Sequence, residues 1–265
     1  MKITSSKIKQ YAKNLGIDMV GITSAEVYNN AQNSDYSSVI VALFPYYTGE
    51  FEDANLSRYA YGKDYHIVAN DYLTDIANHF GLNDYKIYSD IGPAIDRSLA
   101  IDAGLGFRGR NTMVINEKYG SYFFIGYIVC REKLELDTPS VKTCIDCGKC
   151  IEACPGGALN GDFTINLEKC ASHISQKKGE LTDDEIALIR KTGLCFGCDI
   201  CQNICPHNEC IEVTPINEFR ENIIASLSFS DVDGLSNREF KQNYGDRAFS
   251  WRGKNVLARN LKILE

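Results

Sequence analysis

Apolar residues recur at Ile3, Ile8, Tyr11, Ala12 and Leu15, and Gly16 follows. That is a loose helical stripe with a helix-ending residue behind it. Two β-branched runs, IDMVGIT (17–23) and SVIVALF (38–44), end in turn residues and predict strands. HIVANDYLTDIANHF (66–80) returns to helical spacing and stops at Gly81. YKIYS (85–89) alternates as a short strand. PAIDRSLAIDAG (93–104) opens on proline and closes on glycine, which predicts a helix. TMVIN (112–116) and YFFIGYIVC (122–130) predict two strands joined by a turn at 118–120. Helices and strands mix without strict alternation. Residues 1–135 are therefore expected to form an α+β or three-layer domain whose sheet is at least partly antiparallel.

The pattern changes near residue 140, where long strands give way to cysteines. GELTDDEIALIRKT (179–192) predicts a helix with acids early and bases late, which suits the helix dipole. The tail from 236 is mostly helical by pattern. Between 238 and 262 it carries seven basic residues (Arg238, Lys241, Arg247, Arg252, Lys254, Arg259, Lys262) against Glu239 and Asp246. Such a run is either a solvated helical face or a local phosphate-contacting face.

Within 265 residues, 44% hydrophobic and 24% charged content give a globular chain with a core. No apolar run approaches the roughly 20 residues of a membrane span. The polar N-terminus, MKITSSKIKQYAKNLG, lacks the apolar stretch of a signal peptide. Eleven cysteines in such a chain read as metal ligands in a reducing, cytoplasmic setting rather than as a disulfide framework. The net charge of −7 excludes a general nucleic-acid binder but not a local basic face.

Two runs carry the strongest signal. TCIDCGKCIEACP (143–155) and LCFGCDICQNICP (194–206) each hold four cysteines at C-x2-C-x2-C-x3-C-P spacing. In two-cluster ferredoxins three close thiolates hold one cubane, and the fourth reaches across to the other. By that logic Cys144, Cys147, Cys150 and Cys205 hold one [4Fe–4S] cluster. Spacing alone gives the second cluster Cys154, Cys195, Cys198 and Cys201, and leaves Cys170 spare. Zinc competes for any paired C-x2-C, but two four-cysteine runs with trailing prolines favour iron–sulfur.

GLGFRG (104–109) matches G-x-G-x-x-G, yet a predicted helix precedes it and a predicted strand follows, the reverse of a dinucleotide site. A tight helix-to-strand turn is the expectation. Asp90, between a strand and Pro93, either caps the next helix or serves as a proton donor facing a pocket. In the second case, burial beside an apolar cofactor face would keep the carboxyl protonated near neutral pH. His66, His79, His173 and His207 form no metal-site spacing. Cys130 ends an apolar strand and reads as core, and Cys210 has no assigned role.

The string SDIGPAIDRSLAIDAGLGFRGRNTMVINEKYGSYFFIGYIV, the first cysteine run, EKCASHIS and FGCDICQNICPHN together resemble the epoxyqueuosine reductases. Order and spacing match over about residues 58–210, with weaker likeness at LGIDMVGIT and ARNLKIL. The resemblance implies a cobalamin-dependent iron–sulfur enzyme that reduces the epoxide of epoxyqueuosine at the tRNA wobble position to queuosine. The implied fold is α+β. A flavin-reductase-like, cobalamin-binding N-terminal domain (1–135) joins a bacterial ferredoxin-like domain with two [4Fe–4S] clusters (136–215) and a C-terminal helical segment (216–265). By position, Asp90 matches the family's catalytic acid. Cys170 matches a cluster ligand, so the resemblance assigns Cys154, Cys170, Cys198 and Cys201 to the second cluster and makes Cys195 the spare thiol. Corrin contacts are expected from Arg110, Asn111, Thr112, Val114 and Ser172. The implied partners are tRNA and an external one-electron donor such as a flavodoxin or ferredoxin, with no membrane.

The chain departs from the family at residues 24–37, which are short, and in lacking a C-terminal helical-repeat region that helps hold tRNA. Three alternatives follow: a cobalamin-dependent reductase of another substrate, a non-catalytic electron carrier, and a cobalamin-handling chaperone.

Overall fold

The computed structural model describes residues 3–265; Met1 and Lys2 of the polar N-terminus lie outside them. Helix α1 (Ser5–Asn14) starts where the Thr4 side chain accepts the Lys7 N–H. Strand β1 (Val20–Ser24), helix α2 (Glu26–Gln32) and strand β2 (Ser38–Pro45) follow. Helix α3 (Tyr65–Phe80) is capped by Asp64, whose carboxylate accepts the His66 N–H, and it ends at Gly81 in the left-handed conformation. Strand β3 (Tyr85–Ser89), helix α4 (Asp96–Asp102), the two-residue strands β4 (Phe107–Arg108) and β5 (Val114–Ile115), and strand β6 (Phe123–Cys130) complete this part.

The main sheet runs β1-β2-β6-β3 and every pairing is antiparallel. All eight residues of β2 are buried, because both faces of the sheet are covered. Ile40, Ala42 and Phe44 pack with α1 and α3 on one side. Val39, Val41 and Leu43 pack with Leu99 and Ala100 of α4 and with Tyr28 of α2 on the other. The period of two along β2 thus feeds two cores, giving a three-layer α+β arrangement.

Two local expectations are corrected. The helix expected at 93–104 begins only at Asp96; Pro93 lies in the preceding turn, and Ile95 at the N-cap makes no side-chain cap. The strand expected at 112–116 shrinks to β5, which pairs with β4 rather than with β6. Asn116 explains this. Its Oδ1 accepts the N–H groups of Lys118 and Tyr119, and its Nδ2 donates to the Leu105 carbonyl, so the chain curls away. Both edges of β6 are already taken by β2 and β3. The glycines of GLGFRG do serve a tight turn. Gly104 has φ +73°, and a Cβ on Gly106 would meet the Ile115 carbonyl oxygen at 2.4 Å.

The cysteine-rich part carries only short helices: α5 (Lys149–Ala153), α6 (Ala171–Ser175), α7 (Asp183–Thr192) and α8 (Ile200–Asn203). A capping box of Thr182 and Glu185 opens α7, and Gly193 closes it. Helices α9 (Asn217–Arg220), α10 (Asn237–Tyr244) and α11 (Lys254–Leu264) finish the chain. This last segment has a core of its own, in which Phe240, Phe249, Leu257 and Leu261 pack on Leu56, Tyr61, Cys195 and Phe196. Asn260, fully buried, ties it down by donating to the carbonyls of Ser175 and Cys195 at 2.6 and 2.8 Å. Among the described residues no helix is long and apolar enough to cross a membrane.

Candidate active site and cluster cysteines

Two groups of thiols gather around α5, α6 and α8. Cys150 is raised first by burial and then by the nearby Cys205 and Cys144. Burial likewise raises Cys205, with Cys144 and Cys147 adding to it. Burial pushes the Cys198 thiol up to about 11, helped by Asp199, Cys170 and Cys154. Cys201 is raised by burial and then by Cys198 and Cys170. The first group is therefore Cys144, Cys147, Cys150 and Cys205, and the second is Cys154, Cys170, Cys198 and Cys201. Cys195 stands apart. It is fully buried in the C-terminal core, burial alone pushes its thiol up to about 12, and its Sγ faces Asn55 Oδ1 at 3.7 Å.

These donors suit iron–sulfur clusters. The Ala158 N–H donates to Cys154 Sγ at 3.2 Å. Among the described residues no three His, Cys, Asp or Glu side chains close on a site for a single metal ion. Bound iron would hold the sulfurs deprotonated despite burial.

Asp90 sits just past β3 with φ +69°, in the left-handed region that few non-glycine residues adopt. The Tyr65 hydroxyl donates to its Oδ2 at 2.7 Å, and His66 Nε2 lies 3.9 Å from the same oxygen. His66 Nδ1 is 2.9 Å from Asp64 Oδ1. The hydrogen bond to Asp64 raises the His66 pKa above its usual value, against partial burial, with Asp64 and Asp90 charge adding to the rise. Asp90 is thus not a helix cap. Its side chain is 57% exposed, at the seam of two cavities.

The first cavity, about 280 Å³, is walled by Tyr65, Met113, Val114, Phe123 and Phe124, with Arg97 at one side. The second, about 250 Å³, shares Tyr65, Asp90 and Phe124, and adds His66, Gln176 and Trp251. The first cavity lies close to the second thiol group. Asn111 makes that link, since its Oδ1 accepts the Met113 N–H at 3.2 Å and its Nδ2 donates to the Cys201 carbonyl at 3.4 Å. Ser121, also in the wall, donates to Gln202 Oε1 beside Cys201.

Of the expected corrin contacts, Val114 lines the cavity. Asn111 and Thr112 are buried behind it, and Arg97 Nη1 donates to the Thr112 carbonyl at 2.9 Å. Arg110 turns away to an ion pair with Asp146. Ser172 lines neither cavity; its carbonyl accepts from Gln176, which lines the second. Sequence reasoning missed Tyr65, Arg97, Gln176 and Trp251. The one available signal was the run YGKDYH (61–66), which holds Tyr65 beside His66.

A family model described as epoxyqueuosine reductase QueG matches residues 30–90, and a 4Fe-4S double cluster binding domain matches residues 143–208. The epoxyqueuosine reductase of Leadbetterella byssophila is 30% identical, over all of this chain and 99% of its own length. This chain belongs to the epoxyqueuosine reductase family. The Staphylococcus aureus enzyme is also 30% identical, over 98% of this chain and 80% of its own. Against the Lactococcus garvieae enzyme, 34% identical, the chain spans 61% of the relative's length. The Bacillus subtilis reductase, solved with its catalytic aspartate loop swung out of the active site, superposes with a TM-score of 0.86 at 27% identity. That match covers 98% of this chain and 80% of the other. A reductase solved with an epoxyqueuosine-modified tRNA-Tyr stem loop matches at TM-score 0.86, 26% identity and the same coverage. The reductive dehalogenase NpRdhA, 18% identical at a TM-score of 0.56, covers 97% of this chain and 35% of its own, and is alike in fold.

Proposed function

We propose that this chain reduces the epoxide of epoxyqueuosine in tRNA to the alkene of queuosine, with two [4Fe–4S] clusters and cobalamin as cofactors. The observation that supports this reading best is the position of Asp90. It lines an apolar cavity whose wall residue Met113 is linked to the Cys201 backbone through two hydrogen bonds of Asn111. The family membership and the modified stem loop bound to a solved relative agree with it.

Removing the epoxide oxygen as water consumes two electrons and two protons. Cys144, Cys147, Cys150 and Cys205 would hold one cluster, and Cys154, Cys170, Cys198 and Cys201 the other. Together they would take electrons singly from an external donor such as a flavodoxin or ferredoxin. The apolar wall of Met113, Val114, Phe123 and Phe124 fits the face of a corrin. No histidine lines that cavity among the described residues, so the wall offers no imidazole ligand. Cobalamin bound there would supply the reduction of the carbon–oxygen bond. Asp90 gives its proton to the departing oxygen, so that no free alkoxide forms. Tyr65 holds the carboxyl in place. His66, oriented by Asp64, returns a proton to Asp90 and recovers its own from solvent.

A simple electron carrier would have no use for the cavity or for the Tyr65–Asp90–His66 cluster. The deciding experiment uses the anaerobically reconstituted protein with cobalamin, a chemical reductant and a stem loop carrying epoxyqueuosine. Nucleoside mass spectrometry should show a product lighter by one oxygen. Reconstituted protein that binds cobalamin yet leaves the nucleoside unchanged would sink the proposal.

A further inference from the structure

A third cavity adjoins the second of the two at Asp90. The second and third share Asp64 and Trp251. The third, about 580 Å³, is walled by the C-terminal segment and presents Lys241, Arg252 and Lys254. Trp251 is the only tryptophan of the chain and is 57% exposed. Its Nε1 donates to Gln176 Oε1 at 2.9 Å, which fixes the ring. The Arg252 guanidinium lies over that ring at 3.6 Å, and its Nε is buried with no hydrogen-bond partner. Lys254 donates to the Leu235 carbonyl and lies near enough to Glu239 for their charges to interact. Asp64, the only carboxylate lining this third cavity, is already engaged by the His66 N–H and ring.

A fixed indole flanked by three cations is unusual on a chain of net charge −7. Flat bases on a string of phosphates are the chemistry that matches it. We propose that the trough from Asp90 past Trp251 to Lys241 seats the single-stranded RNA next to the modified nucleotide. A neighbouring base stacks on the Trp251–Arg252 pair, and its phosphates meet Lys241, Arg252 and Lys254. The inference rests on the RNA-borne substrate proposed above. It gives the basic C-terminal run a definite task within this chain.

Because Trp251 is the sole tryptophan, its emission reports on the trough directly. Adding an epoxyqueuosine stem loop to reconstituted protein should quench it, while an unmodified mononucleotide at equal concentration should not. Trp251→Ala should raise KM for the stem loop about 5- to 150-fold, the range for loss of one base stack. Lys241→Gln with Lys254→Gln should lower the slope of log affinity against log salt by about 0.7 per lost phosphate contact. Iron content and circular dichroism check that each variant has folded. Unquenched emission, or unchanged KM and salt slope in variants that still reduce the stem loop, would overturn the trough and leave the proposed reaction standing. Equal quenching by the mononucleotide would also overturn it, marking a small-anion site. Quenching by a stem loop that is never reduced would keep the trough and remove the reaction.

Discussion

Tyr65 and Asp90, 25 residues apart, are joined by a 2.7 Å hydrogen bond between hydroxyl and carboxyl. Tyr65 is the first residue of α3 and Asp90 the first after β3, so the bond closes the mouth of the site from two separate elements. The Tyr65 ring stacks on Phe124 of β6 at 4.0 Å, which sets its position. Asp90 is thereby held at φ +69°, at a cost that a free loop would relieve.

Asp90→Asn keeps the shape and the bond to Tyr65 but has no acidic proton to give. Turnover of an epoxyqueuosine stem loop should fall about 10²- to 10⁴-fold, the usual worth of a placed general acid. Iron content and substrate affinity should stay near wild type. A variant that turns over normally would remove Asp90 from the chemistry.

The alkaline side of the pH profile should depend on His66. Its pKa is raised first by the hydrogen bond to Asp64. The facing groups are Asp64 and Asp90, with Tyr65 stacked on the ring at 4.1 Å. A raised histidine contributes stability fully below its unfolded pKa of about 6.5, and that contribution fades as pH rises through the folded value. The same proton is the one returned to Asp90. Asp64→Asn should therefore move the alkaline fall in activity to lower pH, with little change in kcat at the optimum. A profile that does not move would show that His66 does not supply the proton.

The strands were legible because β-branched runs bounded by turn residues leave little else for 38–44 or 122–130 to form. The candidate cluster cysteines stand out by spacing, and spacing alone favours Cys195 where the family resemblance favours Cys170. Spacing does not see packing. Cys195 pairs its carbonyl with Asn260 and its neighbour Phe196 with Leu56, both remote in sequence. The β4–β5 ribbon was hidden for a similar reason, since the side chain of Asn116 diverts the backbone there. Trp251 carried no local signal, and Tyr65 only its place in YGKDYH, because their role arises only where α3, β3 and the C-terminal segment meet.

Cys170→Ala and Cys195→Ala should separate the two assignments. The Cys170 thiol neighbours Cys198 and Cys201, whereas Cys195 lies among apolar side chains. Iron counts on anaerobic protein should fall by about four for Cys170→Ala and stay near eight for Cys195→Ala, the contents of one and two cubanes. The reverse result would return Cys195 to the cluster.

Gly197 tests how tightly the cysteine run is fastened to the N-terminal part. It follows Phe196, which bridges to Leu56, and its N–H donates to Ser175 Oγ at 3.0 Å. Two residues on, Asp199 accepts the Ser57 hydroxyl at 2.5 Å and the Arg58 N–H at 2.7 Å, so residues 196–199 lie flush against 56–58. A Cβ on Gly197 would stand 2.4 Å from Ser57 Cβ, at φ +75°. Alanine there adds about 1–2 kcal/mol for the left-handed backbone and about 1–3 kcal/mol for the overlap. Because Cys198 is the next residue, the strain falls on the second cluster before the rest of the fold. Gly197→Ala should lower the denaturation midpoint and release that cluster's iron first, read by visible absorption during a urea titration. If the variant keeps wild-type midpoint and iron, the two parts are not held together along this seam.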